Sequence, residues 1–203
     1  MLQFPTTPVY RTGEFSIEHP AIVNKTTSGR TQASSDGPAK MKVQITYTSG
    51  GHYLSDDELR PVWAFVNRCQ GQLRPFEVYL HHLSDGHGPS VTGAAAATSA
   101  GAYSVQTTGW PTETTIRKAG DFIQFGVGGR AYLLAADLIS NGSGAAVAQL
   151  ATPLISSVAA ATAAIVQGIL FRMRLDSATA QITQDPGRIQ KLRAIGMEED
   201  INA

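Results

Sequence analysis

Four side chains of metal-ligand type fall close together: His81, His82, Asp85 and His87. Imidazole and carboxylate can fill a tetrahedral zinc shell or suit nickel. Their spacing works against that use. On a continued strand His81 and His82 point to opposite faces, and no second ligand cluster follows along the chain. The favoured reading is a polar strand end running into a loop, with no metal, no cofactor and no catalytic residue assigned. Which residues bind a ligand is left unknown.

The other chemically suggestive stretches point the same way. Gly126-Val127-Gly128-Gly129 does not fit G-x-G-x-x-G and no helix with a carboxylate about 20 residues on follows it, so it reads as a tight hairpin. There is neither a Walker motif nor G-x-S-x-G, and the chain is expected not to be an enzyme. The single cysteine, Cys69, rules out an internal disulfide and any CxxC site, and reads as an inert, semi-buried thiol at a helix end. Trp63 reads as core, and Phe125 and Tyr132 as barrel filling. Trp110, in Gly109-Trp110-Pro111, either plugs a barrel end or faces a partner. Arg11, Arg30, Arg60, Arg68, Arg74, Arg172 and Arg174 flank the middle of the chain on either side, as interface pairs or as solvated surface charge.

These residues must be positioned by a chain of 203 residues with 16 Lys+Arg against 16 Asp+Glu. Zero net charge removes the electrostatic footprint of a nucleic-acid or anionic-membrane binder. No apolar run reaches the roughly 20 residues that cross a bilayer, and the N-terminus lacks the sections of a signal peptide, which predicts a soluble, cytoplasmically made protein. Only 16% of residues are charged, well below the usual quarter. Such a surface is expected to be covered by other subunits.

Pro5, Pro8 and Pro20 make the first 20 residues an extended arm, and residues 24–39 read as a loop. Lys40 to Tyr47 alternates like a strand ended by Ser49-Gly50-Gly51. Ser55-Asp56-Asp57-Glu58 has the form of a capping box, and Leu59, Val62, Trp63 and Val66 follow at helical spacing. Pro61 predicts a kink or a separate first turn. Gly71 closes the helix, and Phe76, Val78 and Leu80 resume alternation.

After His82 the composition shifts. Residues 83–165 hold seven charged side chains, Asp85, Glu113, Arg117, Lys118, Asp121, Arg130 and Asp137. Short strands are predicted at Ser104 to Thr107, around Ile116, and at Phe122 to Phe125, Ala131 to Leu134 and Ala145 to Leu150, with turns at Asp121 and at Asn141-Gly142-Ser143-Gly144. Together they suggest a small closed or half-closed barrel. Val158 to Val166 is read as a loop into a strand in preference to a helix. Ile169, Phe171, Met173 and Leu175 then share one face of a strong strand. Gln181 to Arg193 returns as a last strand with a turn around Asp185-Pro186-Gly187, and Glu198-Glu199-Asp200 forms an exposed acidic tail.

Three stretches carry a family likeness: Ser55 to Leu80; Lys118-Ala119-Gly120-Asp121-Phe122 leading to Arg130-Ala131-Tyr132-Leu133; and, after the Pro153-Leu154 step, Gly168 to Leu175. As an ordered set, over about Lys40 to Leu175, they resemble the distal tail proteins of long, non-contractile-tailed bacteriophages (siphophages), in the short type with an OB-like insertion. The resemblance implies a mainly β fold. A tail-tube-like β-sandwich flanked by one α-helix would be built from 1–82 and 166–203, and an inserted small OB-like β-barrel from 83–165. It implies a structural virion protein at the tail tip, forming a hexameric ring that joins the tail-tube protein to the baseplate hub protein. The ring would continue the channel for genome ejection, with DNA only as passing cargo, and would offer side fibres or a receptor-binding protein a place to attach. No catalytic residue and no membrane contact come with the family. Two alternatives stand beside it: a tail-tube subunit, and a carbohydrate-binding module whose insert uses Tyr103, Trp110, Phe122, Phe125 and Tyr132.

Overall fold

The structure is a computed structural model. It describes residues 1–6, 12–18, 20–25, 29–35, 40–46, 55–176, 181–185 and 188–198. The strand stop at Ser49-Gly50-Gly51, the turn residues Pro186 and Gly187, the tail residues Glu199 and Asp200, and Arg11 lie outside them.

The protein is mainly β with one long helix, as the sequence predicts. In chain order the elements are β1 (Leu2–Gln3), β2 (Thr12–Glu18), β3 (Ala21–Lys25), β4 (Thr31–Ser35), β5 (Lys40–Thr46), α1 (Asp56–Cys69), β6 (Phe76–Tyr79) and a single helical turn α2 (His81–Ser84). Then come β7 (Thr92–Ala95), β8 (Ser104–Thr108), β9 (Thr115–Arg117), β10 (Phe122–Phe125), β11 (Ala131–Leu133), β12 (Leu138–Ile139), β13 (Ala146–Gln149) and β14 (Thr162–Ile165). The chain returns through β15 (Leu170–Leu175), β16 (Gln181–Asp185) and β17 (Arg188–Glu198). Two compact units result, Met1–Glu77 with Met173–Glu199, and Val78–Arg172.

The first unit is organised by a sheet in the order β1-β6-β15-β17-β5-β2, with β16 paired to β17. In β5, Met41, Val43 and Ile45 are buried and alternate with partly exposed residues, the period of a strand with one covered face. Ser55 caps α1: its hydroxyl accepts from the Glu58 amide, and the Ser55 amide donates to Glu58 Oε2 at 2.8 Å. The helix buries Val62, Phe65, Val66 and Cys69. Phe65 meets Phe4 and Phe76 edge-on, with ring centroids 5.1 and 5.2 Å away.

Several expectations change here. The apolar stripe of α1 is rotated from the one predicted, because Phe65 and Cys69 complete the spacing begun by Val62. Trp63 is therefore not core but 41% exposed. Pro61 sits on the exposed side of one uninterrupted helix, with no separate first turn. The helix ends at Cys69, and Gln70, ahead of Gly71, adopts the left-handed cap (φ 51°). Within the 24–39 stretch expected as a loop, Asn24 and Lys25 end β3 and Thr31–Ser35 form β4, and the two strands pair antiparallel from Ala21↔Ser35 to Lys25↔Thr31, while 26–28 and 36–39 lie outside the described residues. Strand β4, Thr-Gln-Ala-Ser-Ser, carries no apolar alternation from which to read it.

The second unit is a barrel. Its six-stranded sheet runs β11-β10-β14-β7-β8-β13, every pair antiparallel. The two margins meet through a Leu134↔Leu150 bridge, with Ala135 N donating to Gln149 O at 2.8 Å and Ala151 N to Leu133 O at 2.9 Å. This circuit has one strand more than the five of an OB barrel. The interior holds Val105, Trp110, Ile116, Ile123, Phe125, Tyr132, Leu134, Leu138, Leu150, Leu154 and Val166, so Trp110 is a plug. Its Nε1 donates to Thr107 Oγ1 at 2.8 Å, and its ring lies so close to Gly93 that an added Cβ would come within 2.5 Å.

That contact explains why β7 and β14 escaped the sequence. Gly93 is small because the indole needs the room, and with Ala94, Ala95, Ala163 and Ala164 beside it the two strands give no hydrophobic period. The predicted loop at Val158 to Val166 is a loop only as far as Ala161. Thr162–Ile165 is a strand in its own right, separated from β15 by residues 166–169.

Candidate functional site

Antiparallel closure sorts the barrel's loops into two ends. At one end the chain enters and leaves, through residues 80–91 and 166–169, and here lie the β8–β10 and β11–β13 connections. Six of the seven charged residues of 83–165 belong to this end: Asp85, Glu113, Arg117, Lys118, Asp121 and Asp137. The opposite end is made of 96–103, 126–130 and 150–161, with Arg130 its single charged residue.

Arg117 organises the charged end. It is the largest fully buried side chain among the described residues. All five guanidinium N–H groups go to carbonyl oxygens. Nε and Nη2 donate to Val166 O at 2.9 and 2.6 Å, Nη2 also to Asp85 O at 3.1 Å, and Nη1 to Ile116 O at 2.6 Å and Pro89 O at 3.1 Å. Planar, forked donors suit this role, and an ammonium would not. The loop reaches the guanidinium because two glycines let it. A Cβ at Gly86 would sit 2.9 Å from Nε, one at Gly88 2.7 Å from Nη1, and both residues have positive φ. Burial lowers the Arg117 pKa, and the carboxylates of Asp121 and Asp85 counter it.

Asp121 is the second anchor. Its Oδ2 accepts from the amides of Lys118 at 3.0 Å and His87 at 3.2 Å, and its Oδ1 lies 3.2 Å from His87 Nδ1. Burial opposes ionisation of this carboxyl, but the hydrogen bonds from Lys118 and His87 outweigh it and hold the group below the usual carboxylate range. Asp85 accepts from the Tyr79 hydroxyl at Oδ2 and from Gly168 N, 3.3 Å away, at Oδ1. The polar groups of this cluster are thus spent on one another and on the main chain. Chemically it is a clasp across the chain's two passages.

Three of the four candidate ligands are therefore separated by their partners. His87 turns to Asp121, Asp85 to Tyr79 and Gly168, and the His81 ring packs edge-on against Tyr79 at 5.1 Å. The His82 side chain lies outside the described set. Among the described residues no three His, Cys, Asp or Glu side chains converge to hold a metal ion. The predicted polar loop begins with the helical turn α2, whose Ser84 hydroxyl accepts from Leu80 N at 2.8 Å. Arg117 itself was missed by sequence reasoning. Its signal was a rare cation in a charge-poor strand, together with Gly86-x-Gly88.

The aromatic candidates divide as sharply. Trp110, Phe122, Phe125 and Tyr132 are buried, and only Tyr103, 58% exposed, faces solvent. Val127, at the tip of the expected 126–129 hairpin, is almost wholly exposed. The Cys69 thiol is fully buried, and burial pushes it up to about 11 despite nearby Arg68. No helix among the described residues is long and apolar enough to cross a membrane. Comparison of the sequence with known protein families and with curated proteins gave no match.

Proposed function

We propose that this protein is a structural subunit of a long, non-contractile phage tail, a distal tail protein. Its copies close into a ring of about six that joins the tail tube to the baseplate hub. The observation that carries the reading is the margin of the large sheet. β2 pairs with β5 over seven residues, Thr12↔Thr46 to Glu18↔Lys40, and no strand follows it on its other side among the described residues. Such a margin is a template for pairing with another chain, and a head-to-tail ring removes it in every copy at once. The ordered likeness in Ser55 to Leu80, Lys118 to Leu133 and Gly168 to Leu175 supplies the class of ring. The carbohydrate-binding alternative loses support, since four of its five aromatics are buried.

Immunogold electron microscopy of phage particles, with antibody to this chain, tests the proposal. Label at the tail tip and about six copies per particle are expected. Label along the whole tail, at high copy number, would make the chain a tube subunit. Label on heads, or none, would refute both.

A further inference from the structure

The turn Asn141-Gly142-Ser143-Gly144 joins β12 to β13, and its first three residues are exposed. Its main chain is pinned. Asn141 N donates to Ala145 O at 2.8 Å, Gly144 N to Asn141 O at 2.9 Å, and Trp110 N to Gly144 O at 3.1 Å. Within this frame the Asn141 side-chain oxygen Oδ1 accepts three hydrogen bonds, from Ser143 N at 3.0 Å, Ala145 N at 3.0 Å and Ser143 Oγ at 2.7 Å. Two of the donors are main-chain amides, so the accepting atom is the oxygen and not Nδ2. Donors gathered on a carbonyl oxygen stabilise the negative charge that grows there when its carbon is attacked.

The next residue supplies the nucleophile. Of the amides from Gly142 to Ala145, that of Gly142 alone has no acceptor among the described residues. Nor does a side chain shield it: a Cβ at Gly142 would meet only Glu113 Oε1, at 3.8 Å. Attack by this nitrogen on Asn141 Cγ closes a five-membered ring between groups the chain already holds together, which removes the entropy of an encounter.

We propose that Asn141 is a self-modification site, converted in the folded protein to aspartate or isoaspartate. The Gly142 amide gives its proton to hydroxide, its nitrogen bonds to Asn141 Cγ, and the oxyanion forms on Oδ1 facing the three donors. The Cγ–Nδ2 bond then breaks, and Nδ2 leaves as ammonia with a proton from water. Water adds to one of the two imide carbonyls and opens the ring. In sum, an amide and one water give a carboxylic acid and ammonia, with no change of oxidation state. Each conversion adds one negative charge to a chain whose formal net charge is zero. The aspartate product keeps the three hydrogen bonds, now to a charged acceptor, which strengthens them. Isoaspartate lengthens the main chain by one methylene and misaligns the bonds of residue 141 to Gly144 and Ala145. The site requires nothing of the ring reading.

The full chain is held folded at pH 8 and, in parallel, denatured in guanidinium chloride at the same pH. Conversion is followed by peptide mass spectrometry and by the acidic shift of the intact chain on isoelectric focusing. Acid is expected to accumulate at Asn141 and not at Asn67, whose Nδ2 is tied to Trp63 O at 2.9 Å. It should form faster in the folded chain than in the denatured one, where the three donors are dispersed. One oxyanion donor in an enzyme site is worth about 100- to 1000-fold. On this open turn, where water screens the charge, Ser143→Ala should slow conversion of the folded chain about tenfold and leave the denatured rate unchanged. No acid at Asn141 in the folded chain, a folded rate below the denatured one, or a folded Ser143→Ala rate equal to the parent's would each overturn the assignment. If Ser143→Ala does not fold, the folded and denatured rates of the parent decide it alone.

Discussion

Replacing Arg117 by methionine keeps much of the side-chain volume and removes five N–H donors from the barrel's charged end. The carbonyls of Asp85, Pro89, Ile116 and Val166 all lose a donor. A buried acceptor left unsatisfied costs about 1–3 kcal/mol, while release from burying a charge returns part of that total. Over four such carbonyls, less that return, the net loss is about 3–5 kcal/mol. At about 2–4 °C per kcal/mol for a chain of this size, the melting temperature should fall by about 6–20 °C. Arg117→Lys should give roughly half the loss, since three donors on one nitrogen cannot span both sides of the guanidinium plane. Calorimetry gives the magnitude and amide exchange the location, with protection lost first around Pro89 and Val166. A variant R117M that unfolds within about 1 kcal/mol of the parent, an ordinary effect for a surface position, would refute the role assigned to this side chain.

Three further outcomes are expected. Because the Asp121 carboxyl titrates below its unfolded value, about 3.9, the stability it contributes is present above that pH and is lost as pH falls through the folded value. Urea titrations between pH 2 and 6 should show this acid loss in the parent and a weaker, flatter profile in Asp121→Asn. Gly93→Ala drives a methyl into the Trp110 ring and should cost about 1–3 kcal/mol, read as a lower urea midpoint with altered tryptophan fluorescence. Cys69, buried and pushed up to about 11, should resist a thiol reagent at pH 8 in the folded protein and react at once in denaturant.

What the sequence disclosed follows from where burial leaves a period. The alternation in Lys40 to Thr46 and in Leu170 to Leu175, the capping box at Ser55 and the glycine hairpin at 126–129 were all readable, since each is local. β7 and β14 were not, because they are built of glycine and alanine, and at Gly93 the small residue answers to an indole that reaches it only in three dimensions. Trp63 misled for the opposite reason: a large apolar residue beside a stripe looks like part of it until Phe65 and Cys69 fix the rotation. The clasp was the least legible part, since its bonds join Asp85, Arg117 and Val166 across long stretches of chain.

Both passages of the chain at the charged end of the barrel run side by side, Ile169 N donating to Ser84 O at 3.1 Å. A segment whose two ends touch is a cassette. It can be cut out and bridged by a short linker, or exchanged for another fold of any size, without asking the flanking strands to move apart. Whatever the barrel adds to this protein can thus be gained, lost or traded as a unit, while the sheet that it interrupts keeps its own register.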